Sequence, residues 1–356
     1  MKNIDLLGCG IISLLVATPA FAEKSPVDLN LGGFFKGYIS YISQSEPNGN
    51  VHKVDLLRQT EVHFSGKTAI NNQLTIGLHI EGQADGDDDF FLDESYLSAT
   101  SPWGEVYLGR AYGSPYMLQV SAPAADSNID GRRQMIQPVN FSVAGISLGS
   151  STETDYDHDV SAKHDKITYI SPDLNGIQVG FAYTPESDAS SRGANGNAPD
   201  NDDTLPSSQI MDAAIRFEND ITDSVSYKIG AGYSKAQTEI GSNPNREAWN
   251  IGLDFDIQKF GIGAAYQVDD LGNANKNATY TAFGMDYKMD DMTYATSYYR
   301  KDDDVNSVDL KRYTTGLSYK VIPGLSLRSS LAYFDIKDVD SQANATSFVI
   351  GTDITF

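Results

Sequence analysis

The stretch RYTTGLSYKVIPGLSLRSSLAYFDIKDVDSQANATSFVIGTDITF, residues 312–356, decides how the chain folds. Tyr313, Thr315, Leu317 and Tyr319 alternate with Arg312, Thr314, Gly316, Ser318 and Lys320. A period of two places the two sets on opposite faces of a β-strand. A break at 321–324 follows, where Pro323-Gly324 supplies turn chemistry. The next strand-like segment, with Leu331 and Tyr333, runs into a longer polar connection at 337–345. The chain then ends on a second alternation: Phe348, Ile350, Thr352, Ile354 and Phe356 against Ser347, Val349, Gly351, Asp353 and Thr355. One face is apolar and aromatic, the other small or polar, which suits a soluble sandwich and a membrane barrel equally. The unequal connections separate the two.

The same rhythm extends over the whole chain. Short turns fall near 70–73, 101–104, 171–176, 219–224, 257–261, 288–292 and 321–324, and long polar segments near 44–55, 84–90, 111–163, 185–207, 237–246, 269–278, 302–309 and 337–345. Seven short and eight long connections, strictly alternating, join about sixteen strands. An antiparallel barrel of the outer-membrane type sorts its connections this way, with tight turns on one rim and loops on the other. A Greek-key sandwich has no reason to. Asn71-Asn72, Ser101-Pro102-Trp103-Gly104 and Pro172-Asp173-Leu174-Asn175-Gly176 carry turn residues at the expected places. The expected fold is therefore an all-β transmembrane antiparallel barrel, with Val62, Phe64, Ile76, Leu78, Leu253, Leu317, Leu331 and Ile350 outward and Glu61, His63, His79, Asp254, Lys320 and Asp353 inward.

The ends agree with this. Lys2, the apolar run Ile11–Ala17 and the triplet Ala20-Phe21-Ala22 read as a cleaved signal peptide over 1–22, leaving 23–356 as the barrel. Cys9 is the single cysteine, so the mature chain has none for disulfides. No other apolar run approaches the roughly 20 residues of a membrane-spanning helix. A formal net charge of −22 argues against a nucleic-acid partner.

Three stretches resemble the Gram-negative general porin family in its sixteen-stranded trimeric form. Asp93-Glu94-Ser95-Tyr96 with Gly104-Glu105-Val106-Tyr107-Leu108-Gly109-Arg110 looks like that family's fourth and fifth strands. Lys166-Ile167-Thr168-Tyr169-Ile170-Ser171-Pro172, continued by Gly176 through Tyr183, looks like its sixth and seventh. Terminal Phe356 on an alternating strand is similar to the outer-membrane assembly signal. The resemblance implies a cell outer-membrane homotrimer among lipid and lipopolysaccharide. It implies one passive pore for small hydrophilic solutes per subunit, narrowed by an inward-folded third loop. The Pro-Glu-Phe-Gly-Gly loop signature of the enterobacterial members is absent.

The connection 111–163 is by far the longest and is the candidate for that loop. Folding its first half inward is expected to bring Asp126 and Asp130 toward the lumen. The nearby cations are Arg58, Arg110, Arg132 and Arg133, with Lys36 at lumen parity and Arg58 at outward parity in an unbroken strand. Opposed charge rows and acidic loop mouths imply a modest preference for cations. Asp126→Asn and Asp130→Asn are expected to reduce it without unfolding the barrel.

The apolar faces around Leu31, Phe35, Val62, Phe64, Ile76 and Leu78 suit a subunit contact and lipid equally. No enzyme motif stands out among His52, His63, His79, His158 and His164. His63 and His79 share lumen parity with Glu61 and Glu81, compatible with an acid–base pair and with plain polar lining. A barrel hydrolase and a substrate-selective channel are the alternatives. No cofactor is required. Calcium bound by external loops has Asp87, Asp88 and Asp89 as candidate ligands, although Phe90 and Tyr96 spoil the calcium-hand pattern.

Overall fold

The computed structural model describes residues 27–85, 91–130, 134–149, 154–187, 207–239 and 243–356. The signal segment, Arg132, Arg133 and the calcium candidates Asp87, Asp88 and Asp89 lie outside the described residues. Sixteen strands follow one another: β1 (Asp28–Gln44), β2 (Val54–Asn71), β3 (Leu74–Gln83), β4 (Phe91–Ser101), β5 (Gly104–Arg110), β6 (Asp165–Ile170), β7 (Ile177–Glu186), β8 (Ser207–Thr222), β9 (Val225–Thr238), β10 (Arg246–Ile257), β11 (Phe260–Asp269), β12 (Ala278–Met289), β13 (Met292–Asp303), β14 (Val308–Ile322), β15 (Leu325–Lys337) and β16 (Gln342–Thr355). Among the described residues one short helix, α1 (Ser114–Leu118), interrupts them.

Every strand pairs with its chain neighbours, and β16 pairs antiparallel with β1 to close the barrel. Closure leaves no unpaired edge, which a lipid environment requires because it offers no water to spare backbone groups. Phe356 tightens the seam just beyond β16: its N–H donates to the Gly33 carbonyl at 3.1 Å, and Gly33 N–H donates back at 3.0 Å.

The tight turns and long loops fall where the sequence places them, and antiparallel pairing puts them on opposite rims. Turn chemistry is used as written. Asn71 Oδ1 accepts from Gln73 N–H at 2.8 Å, and Ser101 Oγ from Trp103 N–H at 3.2 Å. Gly176 and Gly324 adopt φ of +89° and +81°, where a side chain would be strained.

The faces also sort as expected. Phe64, Leu78, Leu253, Leu331 and Ile350 are exposed on the outer wall, with Val62, Ile76 and Leu317 half-buried at the same register parity. Aromatics gather in two outer bands. Phe217–Tyr227–Phe255 and Phe260–Tyr287 lie by the tight turns, with ring centroids 5.4, 6.0 and 4.7 Å apart. Trp249–Tyr266 and Tyr298–Tyr313–Tyr333 lie toward the loops. Two such girdles mark the two lipid–water interfaces.

The packed core lies inside the barrel. Ile42, Tyr280, Tyr299, Leu310, Phe334 and Ile336 on the inner wall pack against Val139, Ala144, Ile146 and Tyr156 of the 111–164 connection.

Candidate functional site

Loop 111–164 leaves β5 and rejoins β6, strands of only seven and six residues, so the wall is low where the loop turns inward. Its first run lies on a row of inward glycines. A Cβ on Gly180 would meet Ser114 and Leu118, and one on Gly232 would meet Pro115. Gly230 and Gly252 receive Val120, Gly263 and Gly284 receive Pro123, and Gly316 receives Ala125. Glycine at these positions of β7, β9–β12 and β14 cuts a shallow channel in which the loop backbone sits against the wall. Pro115 sits in the first turn of α1, where its missing N–H costs nothing, and Pro123 lies in the extended run that follows the helix.

Beyond this channel the loop is buttoned to β1 and β13–β16 by polar groups. Tyr38 Oη donates to Asp126 Oδ2 at 2.8 Å, and Arg328 Nη1 donates to Oδ1 at 3.2 Å. Asn128 Nδ2 donates to Tyr38 Oη at 2.9 Å and to Asp353 Oδ2 at 3.3 Å. Ser297 Oγ donates to Asp130. Asp126 and Asp130 are 1 % and 3 % exposed. Burial pushes the pKa of both carboxyls up, that of Asp130 to about 6.

The loop then returns along the same wall. Asp155 Oδ2 accepts from Arg312 Nη2 on β14 at 2.7 Å, and Tyr156 Oη accepts from Asn250 on β10 at 2.7 Å. His158 Nε2 lies 3.0 Å from Ser234 Oγ on β9, and Ser161 Oγ donates to Asp212 on β8 at 2.6 Å. The two runs are stitched together by Gln119, which donates to Asp157 at 3.2 Å and accepts from His158 N–H at 3.0 Å. At the far end Lys163 reaches Asp93 and Glu94 of β4, the latter at 3.2 Å, and Glu81 of β3 at 3.5 Å. Burial lowers the pKa of this ammonium, but Glu94, Asp93 and Glu81 outweigh it and hold the group above its ordinary value.

His158, Ser234 and Asp212 have the composition of a hydrolytic triad and the wrong order. Ser234 Oγ donates to Asp212 at 2.6 Å, so the serine stands between imidazole and carboxylate. In a triad the imidazole stands between, taking the serine proton. Burial pushes the His158 pKa down to about 4, leaving it neutral and unsuited to exchange protons near pH 7. The cluster is a fastening.

The sequence candidates therefore divide. Lys36 faces inward, with Nζ over the Phe34 ring at 3.8 Å and against Met135 Sδ. Asp126 and Asp130 enter the barrel interior but are corrected in role. They sit on the wall side of the loop, committed to Tyr38, Arg328 and Ser297, because a buried carboxylate needs donors that open solvent would otherwise supply. Arg58 and Arg110 are corrected in place. Arg58 pairs with outward Gly37 in register and bonds Asp85 at 2.8 Å. Arg110 lies opposite Ser95 on the outer face, its guanidinium 5.3 Å from the Phe91 ring centroid.

The part of the inner wall left uncovered is that of β2–β5 on the tight-turn side of the Lys163 contacts. Phe34, His63, His79, Tyr96 and Tyr107 form a row of rings across β1–β5, neighbouring centroids 5.1–5.9 Å apart. Glu61, Glu81 and Glu105 accompany them, and a space of about 480 Å³ opens beside His79, Tyr96, Glu105 and Tyr107. Sequence parity marks these residues as inward; it gives no sign that the loop leaves this side free.

A family described as Gram-negative porin matches residues 11–339. No curated protein matches. Among solved structures the chain is similar to an anion-selective porin from Comamonas acidovorans, at 14% identity over 93% of this chain and 100% of that one, with a TM-score of 0.60. It is similar to OmpT, an outer membrane protein of Vibrio cholerae in its trimer form, at 13% identity over 93% and 99%, with a TM-score of 0.61. A variant of the Rh. blastica porin gives 13% identity over 92% and 100%, with a TM-score of 0.59.

Proposed function

The chain belongs to the Gram-negative porin family, and from that membership we propose that it is an outer-membrane channel for passive diffusion of small hydrophilic solutes, with a mild preference for cations. The carrying observation is a closed sixteen-strand barrel whose inner loop is strapped along β6–β16 and β1, while the inner face of β2–β5 between the Lys163 contacts and the tight turns stays open beside His79, Tyr96, Glu105 and Tyr107. A barrel of this strand number encloses a water-filled lumen, and the loop reduces it to a passage beside the bare wall.

The cation preference rests on the charges of that wall. Glu61, Glu81, Asp93, Glu94 and Glu105 face Lys36 and Lys163, an acid excess beneath a chain of net charge −22. The solved porin of Comamonas acidovorans is anion-selective on a similar fold, so the architecture does not by itself set the sign of selectivity. In a planar bilayer with chelator present, the zero-current potential across a salt gradient should take the cation sign. Glu61→Gln with Glu105→Gln should move it toward zero, and an anion-sign potential in the unaltered protein rejects the preference. Raising salt should shrink it, because the Debye length falls from about 10 Å at 0.1 M to about 3 Å at 1 M.

The protein works as a homotrimer in this reading. An apolar groove of about 460 Å³ on the outer wall of β1–β4, lined by Leu29, Leu31, Phe64, Ile76, Leu78 and Leu97, would receive the neighbouring subunit. The girdled remainder of the outer face would meet lipid and lipopolysaccharide. Leu78→Asp should convert trimer to monomer by mass in mild detergent, since one carboxylate in a dry contact has no partner. A purely monomeric unaltered protein overturns the assembly.

A further inference from the structure

On the bare wall, two histidines and a glutamate converge in a way that lining alone does not require. His63 on β2 lies directly opposite Glu81 on β3, and His79 is two residues away on the same face of β3. His63 Nε2 lies 3.4 Å and His79 Nε2 3.5 Å from the same oxygen, Glu81 Oε2. His63 Nε2 is also 3.3 Å from Glu61 Oε2. These separations exceed the usual 2.7–3.2 Å of an N–H···O hydrogen bond. One imidazole N–H cannot serve two carboxylates well. The separations do match the edge of a coordination tetrahedron, about 3.4 Å for metal–ligand bonds of about 2.1 Å.

We infer that His63 Nε2, His79 Nε2 and Glu81 Oε2 form a lumen-side binding site for a zinc-class divalent cation, with water in the fourth position. The three ligand atoms lie within 4.8 Å of one another on two paired strands, a separation that side-chain rotation can close onto one ion. Two imidazoles and one carboxylate suit zinc, copper or nickel, whereas calcium and magnesium want oxygen alone. The surroundings favour a cation: Glu61, Asp93 and Glu94 stand nearby, and Lys163 is held on the other oxygen of Glu81. That contact orients Oε2 toward the histidines, as outer partners commonly fix a ligating carboxylate. A bound ion would add two positive charges to the acid side of the passage and compete with Lys163 for Glu81. Metal occupancy would thereby weaken both the cation preference and the tether of the loop's end.

The test is titration of metal-stripped protein in detergent with zinc, followed by calorimetry, which does not depend on the channel reading. One saturable site per chain is expected, at least tenfold weaker in His63→Gln and in His79→Gln, and not displaced by equimolar calcium. Cobalt in place of zinc should give the strong visible absorption of a tetrahedral site. The variants are compared only where they keep the β-sheet circular dichroism of the parent; should one fail to fold, the cobalt spectrum of the parent alone decides. Absence of saturable binding, or affinity unchanged in both variants, overturns the site.

Discussion

Gly252→Val combined with Gly284→Val is expected to free the inner loop while leaving the barrel closed, raising single-channel conductance severalfold. Both glycines face inward from the middle of β10 and β12, and a Cβ at each would run into the carbonyl of Val120 and of Pro123 respectively. A backbone carbonyl cannot rotate away as a flexible side chain could, so the loop must lift. The wall is not harmed in exchange, since valine favours an extended, half-buried strand. Replacing glycine there also removes conformational freedom from the unfolded chain. The substitution therefore acts against the loop alone. Protease sensitivity within 111–164 should rise together with conductance and with the largest sugar admitted. Unchanged conductance and unchanged cleavage would mean that the glycine channel does not seat the loop.

That channel shows what a sequence discloses and what it withholds. Alternation at 313–319 and 348–356, with the short–long rhythm of connections, carries strand number, topology and facing, because each is a local consequence of period-two geometry. Lys36 inward follows from parity and stands so in the barrel, whereas Arg58 keeps the outward parity that counts against its place among the pore candidates. Gly180, Gly230, Gly252, Gly263, Gly284 and Gly316 are visible as glycines, but their common purpose appears only once register lays them side by side. Asp126 and Asp130 fail for the same reason. Their partners Tyr38, Arg328 and Ser297 lie 88, 202 and 167 residues away in sequence. The length of the 111–163 connection and the resemblance to the porin family bring these acids into the barrel and say nothing of which side of the loop they take. His63, His79 and Glu81 share a parity that sequence displays, whereas the convergence on one oxygen is a matter of ångströms.

Arg312→Leu is expected to destabilise the docked loop by roughly 3–5 kcal/mol, the usual consequence of stripping one partner from a buried ion pair. The guanidinium is 1 % exposed, bonded to Asp155 Oδ2 at 2.7 Å and to the Thr154 carbonyl at 3.2 Å, with the Tyr299 ring 5.2 Å away. Its charge also restrains Asp130, whose pKa burial raises and Arg312 pulls back. Leucine would fill the space and leave Asp155 ionised in a dry site. Adding Asp155→Leu should recover most of the loss, because the uncompensated charge and not the missing volume causes it. The pH dependence has a definite sign. A carboxyl with its pKa raised on docking to about 6 binds more protons docked than released between about pH 4 and 6. Docking therefore weakens as pH rises through that window. Without Arg312 the window extends upward, so acidifying from pH 7 to pH 5 should restore more docking in the variant than in the parent. Loop cleavage by an acid-tolerant protease at the two pH values reads this directly. Equal protection of parent and Arg312→Leu at pH 7 would show that the ion pair does not hold the loop.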